Sequence, residues 1–324
     1  MIKKNHSENK LTTSLTISFF MVVLLVYGCT SENSDSSKIK YISSWGGKGS
    51  LDGQFLYIED FAFDKNGSLV VTDALRADVQ IFDREGLFLA KFGGKGKQAG
   101  NMDKPEGIVV DTLGNYYVSD YLSGQIKVYD RQYEHVMNFG SQGTAEGQLL
   151  ETEFMTLTPQ DYLYVAEAGN DRVSVFDLEG NFQFTFGSTG SYEGQMIRPE
   201  SVKHNSRGHI IVSDFGNHRV QVFTTEGTYL RTIGKEGKNP GEFRCPVGLA
   251  LDKYDNLYVT DMGNNRVQVF DAEGELKYIF DETILPEGDM GNLHGIIVDD
   301  AGFIYLAATA NNRIHKLQVV ELGL

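Results

Sequence analysis

Hydrophobic and polar positions along this chain form a succession of short β-type runs. The clearest stretch begins at Gly248. Gly248-Leu-Ala-Leu-Asp252 is apolar, Tyr254-Asp255 is a turn, and Asn256-Leu-Tyr-Val-Thr260 is rich in β-formers. Asp261-Met-Gly-Asn-Asn265 turns again, Arg266-Val-Gln-Val-Phe270 alternates, and a fourth run from Glu275 to Phe280 follows Ala272-Glu-Gly274. Alternation with period 2, bounded by Gly, Asn and Asp, predicts four strands of about five residues joined by hairpin turns. No window keeps a 3.6-residue period over the roughly 11 residues that a helix needs.

The pattern recurs every 47 residues without slippage. Gly46, Gly93, Gly140, Gly187 and Gly234 are spaced so, as are Gly53, Gly100, Gly147, Gly194, Gly241 and Gly288. The same interval relates Val71, Val118, Val165, Val212, Val259 and Leu306, and relates Phe82, Tyr129, Phe176, Phe223, Phe270 and Leu317. Strands with so many apolar positions are covered on both faces by neighbouring sheets. A repeat of about 40–50 residues built only of strands is a propeller blade. The expected fold is all-β, a six-bladed β-propeller with four antiparallel strands per blade. The last unit stops after its third strand, near Arg313 to Val320, while Lys38 to Trp45 precedes the first unit where a fourth strand belongs. That N-terminal strand (about residues 38–45) is expected to complete the C-terminal blade and close the ring.

Composition sharpens the picture at three points. Glycine numbers 36 in 324 residues, above the usual ~7%, and the turn columns of the repeat account for the excess. The formal charge is -15, from 29 Lys+Arg against 44 Asp+Glu, so no nucleic-acid partner is expected, because phosphate backbones need clustered cations. Ahead of the repeats, Lys3, Lys4 and Lys10 precede an apolar stretch from Leu11 to Tyr27, whose densest part, Phe19 to Tyr27, is short against the ~20 residues of a comfortable span. It ends Leu25-Val-Tyr-Gly-Cys29, which resembles the lipobox of bacterial lipoproteins. The resemblance implies a lipoprotein signal peptide over residues 1–28, lipid on Cys29, a flexible tether over 29–37 and the propeller over 38–324. It places the protein in the bacterial cell envelope, lipid-anchored and extracytoplasmic. Thr30 after Cys29 points to the outer membrane in a two-membrane bacterium. Cleavage would leave 26 basic against 43 acidic residues, a net -17. Contact with the membrane is expected through the lipid anchor only, and the propeller is expected to be monomeric.

The repeat itself is similar to the NHL repeat. That signature appears as Pro246-Val-Gly248, then Val259-Thr-Asp261-Met-Gly-Asn264-Asn-Arg266-Val-Gln-Val-Phe270. The unit before it matches as closely. Glu167 replaces the Asp in the third unit, Ala308 in the sixth, and the first two keep Asp73 and Asp120 but lose the Asn and Arg. The resemblance covers residues 38–320 and implies a propeller. In function the family ranges over RNA-binding domains, protein-interaction modules, receptor ectodomains and a zinc lyase that cleaves peptidyl-hydroxyglycine. That lyase needs three His around its zinc, whereas this chain offers one at the corresponding opening. The recurring Asp, Asn and Arg are expected to be structural, tying together the loops of one face, since a catalytic site is rarely copied around a ring.

Candidate chemistry lies where the residue before each innermost strand points at the channel mouth. That column reads Glu59, Glu106, Glu153, Glu200, Val247 and His294. The simplest expectation is a wide mouth with hydrated carboxylates. The sharper one is a ligand-binding or metal site, with Ca²⁺ suited to several carboxylate oxygens and Zn²⁺ to a contribution from His294. Gluconolactonase-like propellers, a related six-bladed group, hold a divalent metal with a Glu at a similar place. Two polar residues also break the apolar rule of the innermost strands, Lys203 and His204; such residues are more often satisfied locally, and the sharper expectation is that they reach a ligand or water in the channel. No Gly-x-Ser-x-Gly elbow, Walker loop, Cys-x-x-Cys or His-Glu-x-x-His occurs. The leading functional expectation is non-enzymatic: a rigid disc whose top face binds a protein, peptide or glycan. The alternative is a metal-dependent hydrolase or lyase, gluconolactonase-like or peptidyl-hydroxyglycine-lyase-like, using the carboxylate mouth.

Overall fold

The computed structural model describes residues 38–320; the leader, the tether, Cys29 and the last four residues lie outside them. No helix among the described residues is long and apolar enough to cross a membrane. Among the described residues, 24 strands fall into six four-stranded antiparallel sheets. Blade 1 is β2 (Ile58–Phe63), β3 (Leu69–Asp73), β4 (Asp78–Phe82) and β5 (Phe88–Gly93). The next four blades start with innermost strands β6 (Pro105–Val110), β10 (Thr152–Leu157), β14 (Pro199–His204) and β18 (Pro246–Leu251). Blade 6 has β22 (Leu293–Val298), β23 (Phe303–Ala308) and β24 (Arg313–Val319) from the C-terminus, and β1 (Ile39–Gly46) from the N-terminus. β1 pairs with β24 from Ile39↔Val319 to Gly46↔Arg313, so the ring closes as the repeat predicts.

Packing follows from the two-sided apolar strands. Six clusters each straddle two neighbouring blades. At the closure Phe55, Ile58 and Phe82 meet Tyr305, Ala307 and Ile314. Phe82, Phe176, Phe223 and Phe270 of the third strands are buried, each contributing roughly 1.5–3 kcal/mol by leaving water. The loops between blades are anchored by one apolar side chain each, Phe55, Met102, Leu149, Met196, Phe243 and Met290, all buried.

The Asp–Asn–Arg sets do hold loops. Arg266 Nε donates to Asp261 Oδ2 at 2.8 Å, and its other nitrogens reach the carbonyls of Lys238, Asn239 and Glu242. Arg219 makes the same contacts with Asp214, Ser191, Tyr192 and Gln195. Glu167 serves with Arg172 in blade 3. In blade 1 the guanidinium comes from a different position. Arg76 pairs with Asp78 at 2.8 Å and donates to the carbonyls of Leu51 and Gln54, the positions equivalent to Tyr192 and Gln195.

Candidate functional site

Each mouth residue is the second of its innermost strand, and all six innermost strands break register there. In four of the blades a hydroxyl on the next strand holds the break. Thr72 Oγ1 accepts from Asp60 N at 3.0 Å and donates across the seam to Glu106 O at 2.6 Å. Ser119 does so for Gly107 N and Glu153 O, Ser213 for Ser201 N and Val247 O, and Thr260 for Gly248 N and His294 O. The backbones also touch directly. A Cβ on Gly295 would stand 2.1 Å from Glu59 O, so only glycine allows blade 6 to approach blade 1 this closely. The mouth side chains are therefore carried on rigid backbone.

The structure brings Glu59, Glu106, Glu153, Glu200 and His294 together, with Val247 completing the ring. The expectation of hydrated carboxylates is corrected: Glu59 and Glu106 are 2% exposed and Glu153 is 5% exposed. Six strands converging on a narrow axis exclude the solvent that a wide mouth would admit. His294 Nδ1 lies 2.9 Å from Glu59 Oε2. Neighbouring carboxylates raise one another's proton affinity, Glu59 that of Glu106 and Glu200 that of Glu153. Burial is the main cause of their high proton affinity. It pushes Glu59 up to about 8 and Glu200 up to about 7, in Glu200 with the Glu106 charge adding to the effect. Glu106 and Glu153 lie well above the ordinary carboxylate range, again through burial first and neighbouring carboxylates second. Burial also pushes the His294 imidazole down.

A second ring, two residues before the first in every unit, surrounds it: Tyr57, Lys104, Glu151, Arg198, Cys245 and Asn292. Sequence reasoning missed it, although the same 47-residue interval exposes it. Lys104 Nζ stands 2.5 Å from Glu106 Oε1 and 3.9 Å from the centre of the Tyr121 ring. The ammonium gains more from the facing carboxylates than it loses by burial, and its proton affinity is raised. Tyr57 meets the His294 ring edge-on at 5.5 Å, and burial with the Glu59 charge pushes its phenol up to about 12. Arg198 Nη1 bonds Glu151 at 2.8 Å.

The two other predicted site residues part company. Lys203 enters the channel below the mouth, where Nζ donates to Met155 O at 3.4 Å; burial raises the proton affinity of Asp60, and the Lys203 charge offsets only part of that rise. Asp60 is buried, with its carboxylate accepting from Ile108 N at 3.2 Å; it too was missed, although glycine fills that column in three other units. His204 does not face the mouth. It is the last residue of β14, at the other end of the strand from Glu200, and lines a cavity between blades 3 and 4. The reason is the period of a strand: consecutive side chains point to opposite faces, so Lys203 and His204 cannot share a site.

Among the described residues, no set of three or more His, Cys, Asp or Glu side chains is arranged to hold a metal ion. The mouth carboxylates instead face His294, one another and Lys104.

A family model described as a 6-bladed beta-propeller matches residues 196–294. No curated protein matches the sequence. Among solved structures, virginiamycin B lyase from Staphylococcus aureus aligns at 13% identity with a TM-score of 0.62, covering 87% of this chain and 99% of that one. A gluconolactonase from Xanthomonas campestris aligns at 15% identity and 0.63, covering 83% and 88%. A Bacteroides thetaiotaomicron protein of unknown function aligns at 16% and 0.63, covering 86% and 75%. At these identities the likeness is one of fold, and the chain is a six-bladed β-propeller.

Proposed function

We propose that this is an NHL-type, lipid-anchored extracytoplasmic propeller that binds a protein, peptide or glycan through the channel mouth on its top face. The observation that carries the reading is the ring of Glu59, Glu106, Glu153 and Glu200, the first three buried, whose proton affinities are all raised, chiefly by burial. A protonated carboxyl donates and accepts hydrogen bonds side by side. A rigid cluster of such groups, bordered by Tyr57, Tyr121 and His294, suits the amides of a peptide or the hydroxyls of a glycan. Arrays of glycans and peptides probed with wild-type protein and with a Glu59→Gln, Glu153→Gln, His294→Ala variant test it. Retention by wild type and loss in the folded variant is the expected outcome. Equal retention by both would overturn the reading.

The alternative is a metal-dependent hydrolase or lyase. In its favour stand the His294–Glu59 pair at 2.9 Å and fold neighbours that are a lyase and a gluconolactonase. Against it, the mouth offers one imidazole, and the Lys104 ammonium already faces Glu106. Metal analysis of protein prepared without chelator, with thermal stability measured in added Ca²⁺ and Zn²⁺, separates the two. A stoichiometric cation whose stabilising effect vanishes in Glu106→Gln, Glu153→Gln would favour the enzyme. The anchor is tested separately by lipid labelling, which Cys29→Ser is expected to abolish.

A further inference from the structure

The seams between blades are six copies of one design, so a seam that departs from it stands out. On the bottom face the last residue of each innermost strand fills its seam: Phe63, Val110, Leu157, Leu251 and Val298 in five units. A second filler comes from the turn after the third strand. Leu157 and Leu178 pack together into the seam of blades 2 and 3. Phe63 lies under the Arg84 guanidinium at 5.0 Å in the closing seam. Between blades 3 and 4 these two positions are His204 and Thr225, both smaller or more polar, and a cavity of about 540 Å³ opens there. This is within the usual size of a small-molecule site, about 300–1,000 Å³.

The walls are preformed. Tyr164 Oη donates to Thr225 O across the seam at 2.8 Å. Asp255 of blade 5 accepts from Ser206 N at 3.0 Å and from Ser206 Oγ at 2.6 Å, fixing the rim turn. Tyr162, 40% exposed, and Phe184 offer aromatic surface. Among the described residues no protein group hydrogen-bonds the His204 ring or the Gln160 amide, and both line the cavity. Burial lowers the proton affinity of the His204 imidazole. No Lys or Arg lines the cavity, and Glu226 is its one carboxylate.

We propose that the cavity between blades 3 and 4 is a binding site for a neutral pyranose sugar unit. A pyranose has an apolar C–H face that packs on Tyr or Phe and a rim of hydroxyls that needs donors and acceptors. His204, Gln160 and Ser206 supply the second, the aromatic rings the first. A purely apolar ligand would leave His204 and Gln160 without partners. An anion would meet Glu226 with no cation to offset it. The site is independent of the channel mouth, since it lies at the opposite end of β14.

The test is saturation-transfer NMR and calorimetry with neutral methyl glycosides of glucose, galactose and N-acetylglucosamine, and with indole as an apolar probe of comparable size. At least one glycoside is expected to bind with a Kd of roughly 1 mM. Tyr162→Ala is expected to weaken it by about tenfold. His204→Leu, which restores the residue found in blades 3 and 5, is expected to abolish binding while keeping or raising Tm. Should His204→Leu fail to fold, Tyr162→Ala decides. No glycoside bound at roughly 10 mM, indole bound in preference to every glycoside, or glycoside binding undiminished in both variants would each overturn the proposal.

Discussion

The mouth carboxylates are costly groups to bury, and the molecule meets that cost with protons. Glu59 has an ordinary pKa of 4.5 in an open chain and about 8 in the folded protein, with burial as the leading cause. Between those values the folded state binds more protons than the unfolded chain, so stability falls as pH rises. The contribution is fully present below about 4.5 and is lost by about 8. Glu59→Gln keeps an acceptor for His294 and removes the titration. Its Tm is therefore expected to decline less than that of wild type between pH 5 and 8, overtaking it at the alkaline end. Parallel Tm profiles for the two proteins would contradict this. The mouth column itself was legible, because a 47-residue interval finds it. The burial that raises the proton affinity of its carboxylates was not, because it depends on how closely six separate segments meet.

At the level of the strand and its loop, the Asp–Asn–Arg sets show one job done by two arrangements. Arg266 clamps three loop carbonyls from the start of the third strand. Arg76, two positions earlier in its unit, clamps two equivalent ones while pairing with Asp78. Both side chains are largely shielded, 5% and 11% exposed, and removing either takes the charged partner from a carboxylate and a donor from two or more loop carbonyls. Arg76→Ala and Arg266→Ala are each expected to cost about 2–4 kcal/mol in urea unfolding. A cost below about 1 kcal/mol for Arg76→Ala would mean that blade 1 does not depend on the displaced guanidinium. The sequence columns made blade 1 look as though it had lost the clamp. Only the side-chain geometry reveals the substitute, since a long flexible arginine can reach one target from two starting points. The Thr72, Ser119, Ser213 and Thr260 hydroxyls escaped notice for a related reason. Thr and Ser are ordinary strand residues, and their role exists only across a seam.

For the molecule as a whole, closure is the cooperative element. The single tryptophan of the sequence, Trp45, sits on β1 against Phe82 of blade 1 and Tyr305 of blade 6, at 6.4 and 6.2 Å between ring centres. Its fluorescence thus reports directly on the junction. In denaturant, Trp45 emission and far-UV circular dichroism are expected to change together, with one midpoint. An earlier fluorescence transition would show the ring opening before the blades melt. The order of strands, the blade count, the closing strand and the radial position of the mouth column were all determined by the sequence alone. Period and alternation are local properties, and a closed ring of six copies leaves little freedom once they are known. What only the tertiary structure decided is the chemistry. It showed that Glu59, Glu106 and Glu153 are buried, that Lys104 faces Glu106, that Lys203 donates to Met155 O, and that His204 opens onto the other face. Those facts depend on distances between residues far apart in the chain, and a propeller sets such distances only when its last strand pairs with its first.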